Sequence, residues 1–209
     1  FISYITPNNQ QPTTNNQQTI TINLNFSIII PVYNRPQEID ELLQSLAKQE
    51  YSDDFEVLII EDGSTQKSDV IVEKYKSKLK LKYFFKENSG AGASRNFGMQ
   101  KASGNYFIIL DSDVIVPKQY LSEVKKALEI NFTDAFGGPD AANKSFTALQ
   151  KAINYSMTAV LTTGGIRGKK NSVGKFQPRS FNMGLSQKAF NITQGFSKMK
   201  TGEDIDLTF

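Results

Sequence analysis

The strongest constraint on the fold is a repeated switch between two periodicities from Phe26 to Ile130. Phe26–Val32 is a continuous apolar run bounded by Pro31 and Asn34, as for a buried parallel strand. Pro36 suits the first turn of a helix. Ile39, Leu42, Leu43 and Leu46 then recur at i, i+3, i+4 and i+7, one face of that helix. Phe55–Ile60 reads as a second strand, with Val72, Tyr75 and Leu79 marking the next helix. Leu81–Phe85 is a third strand, and Ala91–Ala102 reads as a helix despite Gly92 and Gly98. Tyr106–Leu110 is a fourth strand, and Pro117–Ile130 a helix with Leu121, Val124 and Leu128 inward. Such a series predicts an α/β fold, a doubly wound, mainly parallel sheet flanked by helices. A chain of 209 residues can bury a sizeable core in one such domain.

Outside this stretch the pattern weakens. Residues 1–25 read as an Asn-, Gln- and Thr-rich leader, or as an edge strand through Ile20, Ile22, Leu24 and Phe26. After Gly137 the periodicity loosens, and residues 162–178 combine four glycines with Arg167, Lys169, Lys170 and Lys175. This segment reads as a basic loop, either solvated or closing on an anion. Residues 26–137 and 138–209 are therefore treated as two halves of one domain. The chain starts at Phe1 rather than Met, which leads us to expect a cut N-terminus. It shows no secretory signal and no run of the ~20 apolar residues that a membrane span needs.

In doubly wound sheets, ligands bind beyond the carboxyl ends of the strands. Four polar segments fall there: Pro31-Val32-Tyr33-Asn34, Glu61-Asp62-Gly63-Ser64, Lys86-Glu87-Asn88-Ser89-Gly90 and Asp111-Ser112-Asp113. They are expected to share one rim. The chain has no His and no Cys, so base catalysis falls to Asp, Glu, Lys or Tyr, and a hard-metal site must be built from oxygen. A net charge of +3 does not argue for nucleic acid. Asp111 and Asp113 suit Mg²⁺ or Mn²⁺ shared with substrate phosphates, although Asp-X-Asp also occurs in plain surface turns. Glu61 and Asp62 can accept bonds from a base N–H or ribose hydroxyls, or simply start a strand-to-helix turn. The glycine-rich Asn88–Asn96 entry to a helix can approach a phosphate through its backbone, or serve close packing at Gly92 and Gly98. Glu203 and Asp204 either cap a helix or bring a carboxylate base to the cleft.

Taken in order, Ile30-Pro31-Val32-Tyr33-Asn34, Glu61-Asp62-Gly63-Ser64, Asn88-Ser89-Gly90-Ala91-Gly92-Ala93-Ser94-Arg95-Asn96, Asp111-Ser112-Asp113 and Gly202-Glu203-Asp204 closely resemble the family-2 glycosyltransferases over roughly residues 26–209. The resemblance implies a GT-A-type fold and an inverting transferase using a nucleotide-diphosphate sugar, most often a UDP-sugar. It implies that Pro31, Tyr33 and Glu38 flank the nucleotide pocket and that Asp62 binds the base. Asn88, Gly90 and Arg95 would line the diphosphate side. Asp111 would contact ribose and the metal zone, and Asp113 would ligate Mn²⁺ or Mg²⁺. Asp204 would be the general base, with Glu203 beside it. The acceptor would be a carbohydrate or a lipid-linked glycan, in polysaccharide, cell-surface glycan or glycolipid synthesis. The setting would be cytoplasmic, with peripheral association at the inner face of a membrane left open.

Two departures stand out. Glu61 replaces the Asp found in many members of the family. The chain has no Trp, so the Gln/Arg-X-X-Arg-Trp motif of many members is missing beyond Glu203-Asp204. We therefore expect a C-terminus truncated on the acceptor side. A nucleotide-sugar-binding module without turnover is the alternative reading, and a nucleotidyltransferase a more distant one.

Overall fold

The computed structural model describes residues 23–138, 179–199 and 206–207. Strands β1 (Phe26–Val32), β2 (Phe55–Asp62), β3 (Lys80–Lys86) and β4 (Tyr106–Leu110) alternate with helices α1 (Pro36–Leu46), α2 (Asp69–Tyr75), α3 (Ala91–Lys101) and α4 (Tyr120–Ile130). Strands β5 (Ala135–Gly137) and β6 (Asn182–Ser186) and helix α5 (Gln187–Thr193) follow among the described residues. The strands form one six-stranded sheet in the order β3-β2-β1-β4-β6-β5. β1 pairs in parallel with β2 and β4, and β2 with β3. β6 runs antiparallel to both β4 and β5. The sheet is thus mainly parallel, as expected, with an antiparallel edge that the sequence did not suggest.

The period of two along each strand sends alternate side chains to opposite faces. Ile28, Ile30 and Val32 of β1 join Val57 and Ile59 of β2 in one core, covered by Ile39, Leu42 and Leu43 of α1 and Leu121 and Val124 of α4. Ile29, Leu58, Ile60, Phe107 and Ile109 face the other way, against Met99 of α3 and Phe190 of α5. Helices on both faces make the sheet doubly wound. The chain lays down β1, β2 and β3 to one side and then returns to place β4 on the other side of β1. The crevice beyond β1 and β4 is therefore a topological switch point, where ligands of open α/β sheets bind.

Local differences from expectation have local causes. Helix α2 ends at Tyr75, and Leu79 enters the core from the turn before β3. Helix α4 begins at Tyr120, after a turn in which the Tyr120 N–H donates to the Pro117 carbonyl at 3.0 Å. Residues 23–25 are not a strand, although Leu24 is buried. Ile20 and Ile22 lie outside the described residues, as does the basic segment 162–178. Among the described residues no helix is long and apolar enough to cross a membrane.

Candidate functional site

Hydrogen bonds tie the four carboxyl-end segments into one rim. Asn34 follows β1 in the left-handed region at φ 54°, a conformation Asn tolerates better than most residues. Its Oδ1 accepts from the N–H groups of Thr65 and Gln66 at 2.8 and 2.9 Å, and its own N–H donates to Ser64 Oγ at 2.7 Å. The end of β1 is thereby fastened to the turn after β2.

That turn is fastened in its own right to the loop after β3. Asp62 Oδ1 accepts from Lys86 Nζ and from the Ser89 N–H at 2.9 Å, and Oδ2 accepts from the Gly90 N–H at 2.9 Å. Asn88 Nδ2 donates to the Asp62 carbonyl at 2.8 Å. The approach is close enough to require Gly63: at φ 74°, a Cβ there would lie 2.7 Å from the Asn88 nitrogen.

The loop leads into α3 through Gly90, at φ 91°. One turn on, Arg95 is almost fully buried and donates to Asp111 Oδ1 at 2.8 Å, joining α3 to the end of β4. Across the switch point Arg35 pairs with Asp113 at 3.7 Å and with Glu38 at 3.3 Å.

Pro31 lies near the end of β1, half-buried, and Tyr33 just beyond it is 54% exposed. Glu38 sits in the first turn of α1, tied to Arg35. Asp62, Asn88 and Gly90 form the β2–β3 side of the rim, and Arg95 and Asp111 the α3–β4 side. Asp113 is the more open of the two carboxylates after β4, with its side chain 59% exposed against 35% for Asp111. Glu203 and Asp204 lie outside the described residues.

The acid at the head of the second motif has a different job. Glu61 is fully buried. Its Oε1 accepts from Ser64 Oγ, and its Oε2 from Ser68 Oγ, from the Ser68 N–H at 2.9 Å and from Tyr83 Oη at 3.2 Å. Burial and the neighbouring Glu61 carboxylate push the Tyr83 hydroxyl pKa upward, so the phenol stays a donor. Two further residues went unassigned from sequence: Lys86, the cation on Asp62, and Arg35, the cation beside Asp113. Lys86 closes β3 and Arg35 follows β1, two of the strand ends that the sequence already places on the rim.

Asp113 and Asp111 fit a hard divalent cation. Both are oxygen donors at a strand end, and the hold of Arg35 on Asp113 is loose. No group of three or more acidic side chains that could hold a metal converges among the described residues. A cation here would complete its shell from substrate phosphates and water, the usual arrangement for Mg²⁺.

Comparison with known proteins gives this rim a context. The poly(ribitol-phosphate) beta-N-acetylglucosaminyltransferase TarS of Staphylococcus aureus is 38% identical over 114 residues, 53% of this chain and 20% of that protein. This chain thus spans only about a fifth of that relative's length. The crystal structure of S. aureus TarS 1-349 in complex with UDP-GlcNAc superposes with a TM-score of 0.68 at 27% identity, over 88% of this chain and 52% of that one. The mannosyltransferase PcManGT from Pyrobaculum calidifontis, solved with GDP-Man and Mn²⁺, shares the fold with a TM-score of 0.65 at 19% identity, over 88% of this chain and 50% of that one. The sheet and its helices are of the GT-A type. The family model for glycosyl transferase family 2 matches residues 27–192, most of the chain, and the chain belongs to that family.

Proposed function

We propose that this chain carries the donor-binding and catalytic part of an inverting glycosyltransferase. It would move a sugar from a UDP-sugar to a hydroxyl of a carbohydrate or lipid-linked acceptor. The carrying observation is the rim at the β1/β4 switch point, where Tyr33, Asp62, Arg95, Asp111 and Asp113 come from three strand ends and one helix. The likeness to TarS, solved with UDP-GlcNAc, supports a uridine donor.

Each side chain has work to do in this reading. Tyr33 offers an exposed ring on which a base can stack, and Asp62 offers an acceptor to that base. The Gly90 turn opens backbone N–H groups of α3 toward phosphate. Arg95 holds Asp111 at the ribose side. Asp113, with Asp111 beside it, would hold Mn²⁺ or Mg²⁺, which supplies positive charge against the diphosphate leaving group. Asp204 accepts the proton of the acceptor hydroxyl as its oxygen attacks the anomeric carbon, and the bond to the diphosphate breaks on the opposite face. That geometry inverts the anomeric carbon. Glu203 positions the acceptor or the base.

Calorimetric titration with UDP-sugars, with Mn²⁺ and with a chelator, tests the donor half. Asp113→Asn is expected to weaken donor binding about tenfold in Mn²⁺, while changing little in chelator. Asp204→Asn should leave donor binding intact and abolish transfer. No heat from any UDP-sugar in the presence of Mn²⁺ would remove this reading.

A further inference from the structure

Lys86 is the most enclosed ammonium on the rim, with its side chain 16% exposed. It donates to Asp62 Oδ1, to the Glu87 carbonyl at 3.0 Å and to Ser89 Oγ at 2.5 Å. An ammonium has three donors, so all three are engaged. Asp62 is enclosed too, its side chain 5% exposed. A carboxylate offers about four lone-pair positions. Lys86 and the Ser89 N–H fill both on Oδ1, and the Gly90 N–H fills one on Oδ2. One acceptor position remains, and the lysine has no donor left to offer.

We infer that Lys86 is a positioning residue for recognition of the donor's nucleobase. Resting on the nucleotide-sugar reading above, it goes further by assigning base selectivity to the Lys86–Asp62 pair. A pair offering one acceptor and no donor suits a base with a single N–H on its pairing edge, as uracil has at N3. Cytosine presents a bare acceptor at that position and is repelled. Guanine presents two adjacent donors and leaves one unpaired, which costs affinity once the site is desolvated. Without Lys86, Oδ1 regains a lone pair and the carboxylate loses the cation that holds it against the β3–α3 loop. Both selectivity and affinity for the uracil base then fall. Lys86 does not touch the reacting atoms, so it acts on donor binding and not on the chemical step.

The test measures binding of UDP, CDP and GDP with Mn²⁺ to the wild-type chain, Lys86→Met and Lys86→Arg. Wild type should prefer UDP by at least about tenfold. Lys86→Met should weaken UDP about tenfold while GDP and CDP change less than about twofold, with Lys86→Arg between the two. In transfer assays, KM for the donor should rise while kcat holds. General loosening of the loop would weaken all three nucleotides together through their shared diphosphate, so loss of selectivity is the decisive readout. If Lys86→Met fails to fold, Lys86→Arg carries the test, because a planar fork cannot make the same three bonds. Unchanged selectivity in a folded variant overturns the role of Lys86 and leaves the donor reading standing. Equal or tighter wild-type binding of GDP overturns the lone-pair argument. A wild type that binds none of the three overturns both.

Discussion

Glu61 and Asp62 are chemically near-equal in sequence and opposite in the fold. Adjacent residues of a strand face opposite sides of the sheet. Asp62 therefore lies on the α3 face, toward Ser89 and Gly90, and Glu61 on the face of α2, toward Ser68 and Tyr83. The sequence pattern ended β2 at Ile60, which left both acids in a turn and free to share a cleft. The strand in fact continues through Asp62, and that extension separates them. Glu61→Gln should replace an acceptor by an amide that confronts the hydroxyl and N–H of Ser68. We expect a loss of about 2–3 kcal/mol in urea unfolding, the scale for an unsatisfied buried partner of a charged group. UDP affinity of the folded protein should change less than about twofold. Unchanged stability with weakened UDP binding would instead place Glu61 at the ligand.

At the scale of elements, α3 decides whether the rim forms. It brings Gly90 and Arg95 to the site, and it lies close on the sheet because Gly98 has no side chain. A Cβ at Gly98 would sit 2.4 Å from Ile29 Cγ2 and 3.2 Å from Ile60 Cγ1, both in the middle of the core. Gly98→Ala gains helix propensity but must push α3 off β1 and β2. Overpacking of this kind typically costs about 1–3 kcal/mol, more than the ~1 kcal/mol that propensity returns. The expected outcome is a net fall in stability together with weaker donor binding, since Arg95 moves with the helix. A more stable variant with full donor affinity would show that the contact relaxes freely. Close packing was one of two readings open for this glycine-rich segment from sequence. The structure supports packing at Gly98 and an open approach at Gly90.

The first four strands and four helices were legible because each is long enough to show its period. Strands β5 and β6 and helix α5 were not. β6 is five residues, Asn182–Ser186, with Gly184 at its centre because the Phe136 ring of β5 occupies the place of a side chain. Such a strand owes its existence to pairing with β4, a contact between residues some 75 positions apart that no local pattern reports.

Across the whole molecule, the two ends of the sheet divide function from stability. The carboxyl ends of the strands carry an open, charged rim. The amino ends carry a buried acid, Glu56, which accepts from Ser27 Oγ and from the Ser103 N–H, each at 2.6 Å, and pairs with Lys82 at 2.8 Å. One carboxylate thus ties together β1, β2, β3 and the turn before β4. Burial pushes its pKa up, but the bonds from Lys82, Ser27 and Ser103 prevail and bring it down to about 2 from an ordinary 4.5. A carboxylate whose folded pKa lies below its unfolded value binds its proton more readily in the unfolded chain. Its stabilisation is therefore complete above pH about 4.5 and is lost as pH falls toward about 2. By linkage the contribution is at most about 3–4 kcal/mol, from roughly 1.4 kcal/mol per pKa unit. Glu56→Gln keeps the shape and removes the titration. Urea unfolding of both proteins from pH about 7 down to about 2 should show the variant less stable at neutral pH, with the gap closing across that acid window. A gap that stays constant with pH would mean that Glu56 acts through shape and neutral hydrogen bonding, and that the charge of Lys82 contributes nothing to holding the strands together.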